Sequence, residues 1–574
     1  MKSIFKKIPK SIFIIFYPIF ISILLEYNTC QNIIETFKFI ISKPNIFLFN
    51  IFLTCLLFGF IFLITKKAHI AMIIHGGIFY ILSCVEYFKY KTSGSHLVIS
   101  DLLMTKNLND VGKFASIKLT FPIILNFIIL TIFIYIIYKK SISISLSKKQ
   151  RLYSSLSIIG ITTMFFATPV SSTVFSAFEI ENSVATNILE SNKQFSDIGF
   201  LPYLAQTTSQ QINSNLEEPE NYSEETVNSY ISKEETSVNE NSKKPNVIFI
   251  MSESYSDFRV FNSLNINEDI YKNYDEVADE GYLGHALVPT FGGYTTRTEF
   301  ELLFGLPTLS LNTPSVPQNL IKGQDTIETI PSYFKSLGYN TTYIHPFSGS
   351  FYDRSNLYSE YGFDNLYFEG NLTVPEERYR RYISDQTVFE QIKKQLQSDE
   401  SPSYIFATTM QNHQPYYEDE AEGADQLNYY LQGIKETNKT LREFTNWLKD
   451  FDEDVILVFV GDHFPFFTPD DNVYDRLGIS NNNANLIYNQ NYLIWDNYNC
   501  DMSNIIDKDI SSFYIPYVLL DLLNIKKTSW TNTMIESLNE CAIYSPSDQS
   551  LGSKNEKLDI LTYDRVIGDC YSIK

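Results

Sequence analysis

The sequence predicts two unlike parts, a helical membrane anchor of five transmembrane spans followed by an exported α/β domain with a mostly parallel central sheet. Three observations carry this reading. Long, mostly uncharged apolar runs are confined to the residues before 178. From 245 onward, short β-rich apolar runs alternate with helical patterns, which is how a parallel sheet with crossover helices reads in sequence. Between the two lies an acidic tract poor in large aliphatic residues.

The apolar runs fall at about 11–25, 46–65, 69–87, 119–138 and 153–177, most of them close to the ~20 residues that a bilayer requires. The first is short and follows Met1-Lys2-Ser3-Ile4-Phe5-Lys6-Lys7, as a signal peptide would. No small-residue cleavage site follows before Glu26, so it is expected to stay as an anchor. Lys2, Lys6, Lys7 and Lys10, then Lys66 and Lys67, then Lys139, Lys140, Lys148, Lys149 and Arg151 fall on one side, which should be cytoplasmic. The opposing 88–118 loop holds Lys89, Lys91, Lys106, Lys113 and Lys118, but it is longer and also carries Asp101 and Asp110. Five spans then place everything after 178 outside.

Residues 207–242 contain eight Glu and one Lys and cannot bury enough apolar surface to fold alone, so they read as a solvated tether. The expected division is a five-span membrane domain over 1–177, a juxtamembrane segment and acidic flexible linker over 178–244, and an exported domain over 245–574. Across 574 residues, 66 acidic and 45 basic side chains leave a net charge of −21. With no Lys/Arg-rich tract and no Gly-x-Gly-x-x-Gly after a strand, nucleic acids and dinucleotides are excluded as partners. There is no fixed-period repeat, which excludes solenoids. Of six cysteines, only Cys500, Cys541 and Cys570 lie in the exported part, so at most one disulfide forms there and the domain must rely on its core.

Within that part, strands are expected at 247–251, 341–345, 404–410 and 454–460. Leu427, Tyr430, Leu431, Ile434, Leu441, Phe444 and Leu448 recur at helical spacing as a core-facing stripe. Chemistry is expected at the strands' carboxyl ends, where parallel sheets place their ligands. Ser252-Glu253-Ser254 follows the first strand, Asn412-His413 the third, and Gly461-Asp462-His463 the last. Glu253, Asp462 and His463 offer two carboxylates and an imidazole, a donor set suited to Mn²⁺, Zn²⁺ or Mg²⁺. The segment Phe291-Gly292-Gly293-Tyr294-Thr295-Thr296-Arg297-Thr298-Glu299-Phe300 supplies hydroxyls behind a glycine pair. A divalent cation favours a threonine alkoxide, and a helix N-terminus suits a phosphate. Spacing alone does not choose among Thr295, Thr296 and Thr298, which could equally cap the helix that follows.

In this order, VIFIMSES, GGYTTRTEFE, HPFSGSFYDR, QNHQPY and VGDHFPF behind five spans resemble the lipoteichoic acid synthase and phosphoglycerol transferase family of the alkaline phosphatase and sulfatase superfamily. The resemblance runs over nearly the whole chain and implies a sulfatase-like exported domain. It implies a metal held by Glu253, Thr295, Asp462 and His463, with Thr295 as nucleophile and Mn²⁺ foremost as the single ion. Arg354 matches the family's phosphate-contacting arginine, His413 a substrate-side histidine, and His345 and Tyr352 lie near the phosphate end. The implied reaction moves phosphoglycerol from phosphatidylglycerol, through a phosphothreonine, to a teichoic acid or other envelope glycan outside a bacterial cytoplasmic membrane.

One departure stands out. His345-Pro346-Phe347 replaces His-Gly-Asp, so an acid expected to hold a glycerol hydroxyl becomes Phe347, while Tyr352 keeps the aromatic beside the arginine. No Cys/Ser-x-Pro-x-Arg motif supports a sulfatase proper. Phosphoethanolamine transferases share the threonine and the anchor, but they typically bring disulfides and more histidine than the seven here. A non-catalytic envelope-binding protein would not need the set from Glu253 to His463.

Overall fold

The computed structural model describes residues 10–573 apart from 104–118, 141, 144, 167–169, 186–187, 213–217, 236–243, 262, 265, 312–315, 322–327, 418–424, 469–472, 480–482, 504, 506–507, 524 and 547–551. Lys2, Lys6, Lys7, Lys106, Lys113 and Lys118 of the charge pattern lie outside the described residues. The chain divides into two compact units, Met1–Ala185 with Leu189–Asn215, and Leu216–Lys574 with Thr186–Ile188.

In the first unit, the apolar runs become the helices Lys10–Cys30, Pro44–Thr65, Ala68–Ser93 and Phe121–Lys140, all long and apolar enough to cross a membrane. The fifth expected span is bent: Lys148–Phe166 and Val170–Ala177 stand at 89° to each other and qualify only as a pair. Buried polar contacts tie the helices together, as suits packing where lipid offers no hydrophobic drive. Asn28 Nδ2 donates to Ser83 Oγ at 2.7 Å, and Asn50 Nδ2 to Glu26 Oε1 at 2.7 Å. Ile15, Phe16, Leu48, Phe127 and Ile132 remain exposed on the outside of the bundle, the pattern of lipid-facing positions.

Within 178–244, expected as a juxtamembrane segment and an acidic flexible linker, the described residues form the helices Ile188–Ile198, Phe200–Ile212 and Glu224–Tyr230. The reason lies in a few apolar and aromatic residues that the acidic composition masked. Val227 is fully buried in the core of the second unit. Tyr222 OH donates to Asp564 Oδ1 at 2.8 Å, and Thr533 Oγ1 accepts the backbone N–H of Ser232 at 2.7 Å. Ser223 caps the Glu224–Tyr230 helix by accepting from the N–H of Thr226.

The second unit is built on an eight-stranded sheet. Its strands, with a separate two-stranded hairpin, are β1 (Asn246–Ser252), β2 (Tyr282–Leu287), β3 (Asn340–His345), β4 (Asn365–Phe368), β5 (Arg378–Tyr379) and β6 (Tyr382–Ile383) of the hairpin, β7 (Ser403–Thr408), β8 (Val455–Gly461), β9 (Asn489–Asp496) and β10 (Ile510–Ser511). The order is β10-β2-β9-β8-β1-β7-β3-β4. Pairs from β8 to β4 are parallel, and β9 runs antiparallel to both β8 and β2. The four strands expected from sequence are β1, β3, β7 and β8, the parallel centre. β1, β7 and β8 read as apolar runs because both faces are covered, while β3 mixes threonines with Tyr343 and Ile344. Along β1, Val247, Phe249 and Met251 enter one core while Ile248 and Ile250 enter the other. The helix Gln426–Lys449 carries the expected stripe, from Leu427 to Leu448, into the second core.

Because β1, β3, β7 and β8 are parallel, their carboxyl ends open on one edge, bringing Glu253, His345, the 409–413 loop, Asp462 and His463 together. Thr295–Phe304 begins at this edge too.

The docking of residues 222–232 is testable through tryptophan fluorescence, since Trp447, Trp495 and Trp530 all lie in the second unit. Val227→Asp should lower the stability of this unit by about 2 kcal/mol, the burial worth of one valine, as the helix undocks. An unchanged denaturation midpoint would contradict the docking.

Candidate functional site

The turn before Thr295 is forced into an unusual path. Gly292 has φ 70°, Gly293 φ 152° and Tyr294 φ 60°, and the helix starts immediately afterward at Thr295. A left-handed tyrosine is costly for a residue with a Cβ and persists only where neighbours hold it. They do so here: the Gly292 N–H donates to the Phe464 carbonyl at 3.0 Å, and Thr290 Oγ1 to the Gly293 carbonyl at 2.8 Å. The turn is thereby stitched to the exit of β8, beside His463.

The three threonines, equivalent in sequence, separate in space. Thr295 is partly accessible, and its Oγ1 donates to Glu253 Oε2 at 3.3 Å and lies 3.4 Å from His463 Nε2. Thr298 is buried and donates to the Asp462 carbonyl at 2.7 Å. Thr296 is buried on another side, where its carbonyl accepts from Gln318 Nε2.

Glu253, Asp462 and His463 are buried with ligand atoms all within 4.8 Å of one another. Asp462 Oδ1 is satisfied by the N–H groups of Ser254 at 2.6 Å and His463 at 2.9 Å. Its Oδ2 is buried with no hydrogen-bond partner among the described residues, 3.1 Å from His463 Nε2. His463 Nδ1 faces the Phe464 carbonyl at 2.9 Å and so carries the proton there, turning the Nε2 lone pair toward Asp462 and Glu253. Two acceptors facing each other in a buried site require positive charge between them. Burial, and then Asp462, push the Glu253 carboxyl well above its ordinary value; burial likewise raises Asp462 against the two backbone N–H groups it accepts from. A divalent cation relieves all of this at once, and two carboxylates, an imidazole and a hydroxyl are a fitting donor set for one.

A second buried charge lies beside the first. Arg354 donates through Nε at 3.2 Å and Nη2 at 2.9 Å to Glu299 Oε2, with both side chains almost wholly buried. Tyr358 also donates to Oε2, while Tyr343 and Thr408 donate to Oε1 at 2.6 Å each. Burial would raise the Glu299 carboxyl, but Arg354 and the three hydroxyls outweigh it and hold it below the usual range. Glu299 lies one turn after Thr295 on the same helix, so this pair fixes the guanidinium relative to the Thr295 turn. In the sequence, the one signal for Glu299 is its spacing of four from Thr295, which puts both on one face of a helix.

Arg354 Nη1 reaches His345 Nε2 at 3.5 Å, and the Tyr352 ring lies 5.2 Å from its Cζ. His345 Nδ1 faces the Thr408 carbonyl at 2.9 Å, and burial followed by Arg354 pushes its pKa down to about 3. His413 Nδ1 faces the Gln414 carbonyl at 2.5 Å, and burial pushes its pKa down to about 4. Both imidazoles are therefore neutral at physiological pH. Phe347 is buried, edge-on to His345 and Phe351 at 6.2 and 5.7 Å between ring centres. The groups that could replace its missing carboxylate are engaged locally: Asp353 accepts from Asn356, and Ser348 and Ser350 hydrogen-bond to each other.

Comparison with known proteins adds a lineage to this geometry. Residues 245–525 match the Sulfatase family model. A cyclic beta-1,2-glucan modification protein of Rhizobium meliloti is 32% identical over 249 residues, 41% of this chain and 37% of that protein. The lipoteichoic acid synthase of Staphylococcus saprophyticus is 27% identical over 244 residues, 39% of this chain and 36% of that one. These alignments thus span little more than a third of the curated relatives' own length. Among solved structures, the Streptococcus pyogenes phosphoglycerol transferase GacH in complex with sn-glycerol-1-phosphate is 25% identical, with a TM-score of 0.51, over 62% of this chain and 97% of that one.

The charge argument sets a test. The purified full chain should carry about one divalent ion, and Asp462→Asn, which keeps size but loses the charge offsetting the ion, should empty the site. Elemental analysis decides it: full occupancy in both Glu253→Ala and Asp462→Asn would overturn the assignment.

Proposed function

We propose that the chain, whose residues 245–525 match the Sulfatase family model, is a membrane-anchored, metal-dependent phosphoglycerol transferase acting outside a bacterial cytoplasmic membrane. Phosphatidylglycerol is the donor, and a teichoic acid or other envelope glycan is the acceptor. One observation carries the reading: the accessible Thr295 hydroxyl stands against Glu253 and His463 in a cluster that demands a cation. The similarity to a lipoteichoic acid synthase and to GacH supports the choice of group, and the similarity to a glucan modification protein supports a glycan acceptor.

Glu253, Asp462 and His463 would hold the ion, Mn²⁺ foremost, with Thr295 beside it; it would supply a Lewis acid that lowers the proton affinity of the threonine oxygen and offsets phosphate charge. The chain's own groups do the rest. Thr295 Oγ1 bonds to phosphorus as the diacylglycerol oxygen departs with the proton that the threonine gives up, leaving a phosphothreonine diester. The N–H groups of the helix N-terminus and the fixed guanidinium of Arg354, backed by Tyr352, face the phosphoryl oxygens. His345 keeps Arg354 in place as a neutral acceptor. His413, with Nδ1–H directed at the Gln414 carbonyl, has its other ring nitrogen unprotonated to accept from an alcohol. The acceptor hydroxyl then attacks phosphorus, and Thr295 recovers its proton.

A second reading, transfer of phosphoethanolamine, is favoured by Phe347 alone. An apolar ring cannot accept from a glycerol hydroxyl, and losing one such bond costs roughly 1–3 kcal/mol, about ten- to a hundred-fold in selectivity.

Two measurements test this. A reporter fused after Ser242 should be active outside; a cytoplasmic signal would remove the lipid donor from reach. Labelled phosphatidylglycerol and phosphatidylethanolamine, supplied separately, should show diacylglycerol release from the first, abolished by Thr295→Ala. Preference for the ethanolamine lipid would favour the second reading. Release from neither, or an adduct mapped to Thr296, would contradict the mechanism.

A further inference from the structure

Behind His413 lies a closed ring of buried hydrogen bonds that none of the roles assigned above uses. The backbone N–H of Asp385, first residue of the helix Asp385–Ser398, donates to Gln411 Oε1 at 3.0 Å. Gln411 Nε2 donates to Thr437 Oγ1 at 3.2 Å, and Thr437 Oγ1 donates to Asp385 Oδ2 at 2.6 Å, closing the ring. Asn412 Nδ2 adds a second amide donor to the same hydroxyl at 2.9 Å. Asp385, Gln411, Asn412 and Thr437 are all buried.

The hydroxyl's one hydrogen goes to the carboxylate, so its lone pairs must serve the two amides. That fixes the orientation of Gln411 and Asn412, the two residues before His413. Contact with the helix Gln426–Lys449 is close enough that a Cβ on Gly433 would lie 2.5 Å from Asn412 Oδ1. On the other side, Tyr382, three residues before Asp385, donates to the Gln414 carbonyl and lies 3.3 Å from His413 Nδ1. The loop is thus held from three elements, and the Thr437 hydroxyl joins two of them through a single atom.

We propose that Asp385 and Thr437 are positioning residues that set the imidazole of His413 for the transfer reaction. The inference rests on the proposed function, because it is read through turnover. Thr437→Val keeps the shape of the side chain and removes the hydroxyl, leaving the buried amides and Asp385 without it. In the full chain in membranes, Thr437→Val should lower turnover roughly ten- to a hundred-fold, the cost of unpaired buried polar groups. Thr437→Ser should restore it.

A double-mutant cycle with His413→Ala separates positioning from general damage, because residues acting through one group are not additive. With His413 absent, Thr437→Val should cost little further in residual turnover. If the full cost persists in that background, or if Thr437→Ser fails to rescue, the positioning role is overturned while the transferase reading stands. If His413→Ala itself leaves turnover unchanged, both the role of His413 and this inference fall.

Discussion

Two carboxylates, Glu253 and Asp462, are buried side by side at the ends of adjacent parallel strands, and the rest of the site is arranged around that constraint. Charges in such a place need a counter-charge, since an unpaired buried carboxylate is among the costliest groups a fold can hold. Asp462 Oδ1 is served by two backbone N–H groups while Oδ2 is left facing the His463 lone pair. The same β8 exit that carries these ligands receives the Gly292 N–H and so holds the turn that presents Thr295. Cation demand and nucleophile position therefore come from one local arrangement.

The Glu299–Arg354 pair is the second fixed point. A buried guanidinium is tolerable only because Glu299 meets it with two contacts and is itself held by Tyr343, Tyr358 and Thr408. Such a pair is weak evidence for stability but strong for geometry, since removing either partner strands the other. Here it joins the helix that begins at Thr295 to the loop carrying Tyr352 and Arg354. Consecutive left-handed residues at Tyr352 and Asp353 mark the bend that this junction requires.

Much of this was legible in sequence because parallel strands buried on both faces write long apolar runs, and ligand residues follow them directly. β1, β7 and β8 were readable for that reason, and β3 through its β-branched and aromatic Thr341, Thr342, Tyr343 and Ile344. β2, β4, β9 and β10 are flanking strands that mix polar and apolar residues, and their pairing depends on distant partners. The helix Glu224–Tyr230 was hidden because composition averages over an acidic tract, whereas docking needed only Val227 and a few hydrogen bonds. Among Thr295, Thr296 and Thr298, spacing was silent, since all three sit within one turn of a helix whose orientation only tertiary contacts decide. Glu299, Asp385 and Thr437 act through bonds to residues 25 to 109 positions away, which no local pattern records.

The most direct measurement is anomalous diffraction from crystals soaked in Mn²⁺, recorded on both sides of the manganese absorption edge. A single strong peak within about 2.5 Å of Glu253, Asp462 and His463, the range of metal–oxygen and metal–nitrogen bonds, with Thr295 Oγ1 beside it, is the expected result. A peak away from these residues, or none at a concentration that supports turnover, would contradict the view that the buried carboxylates exist to hold a cation against Thr295.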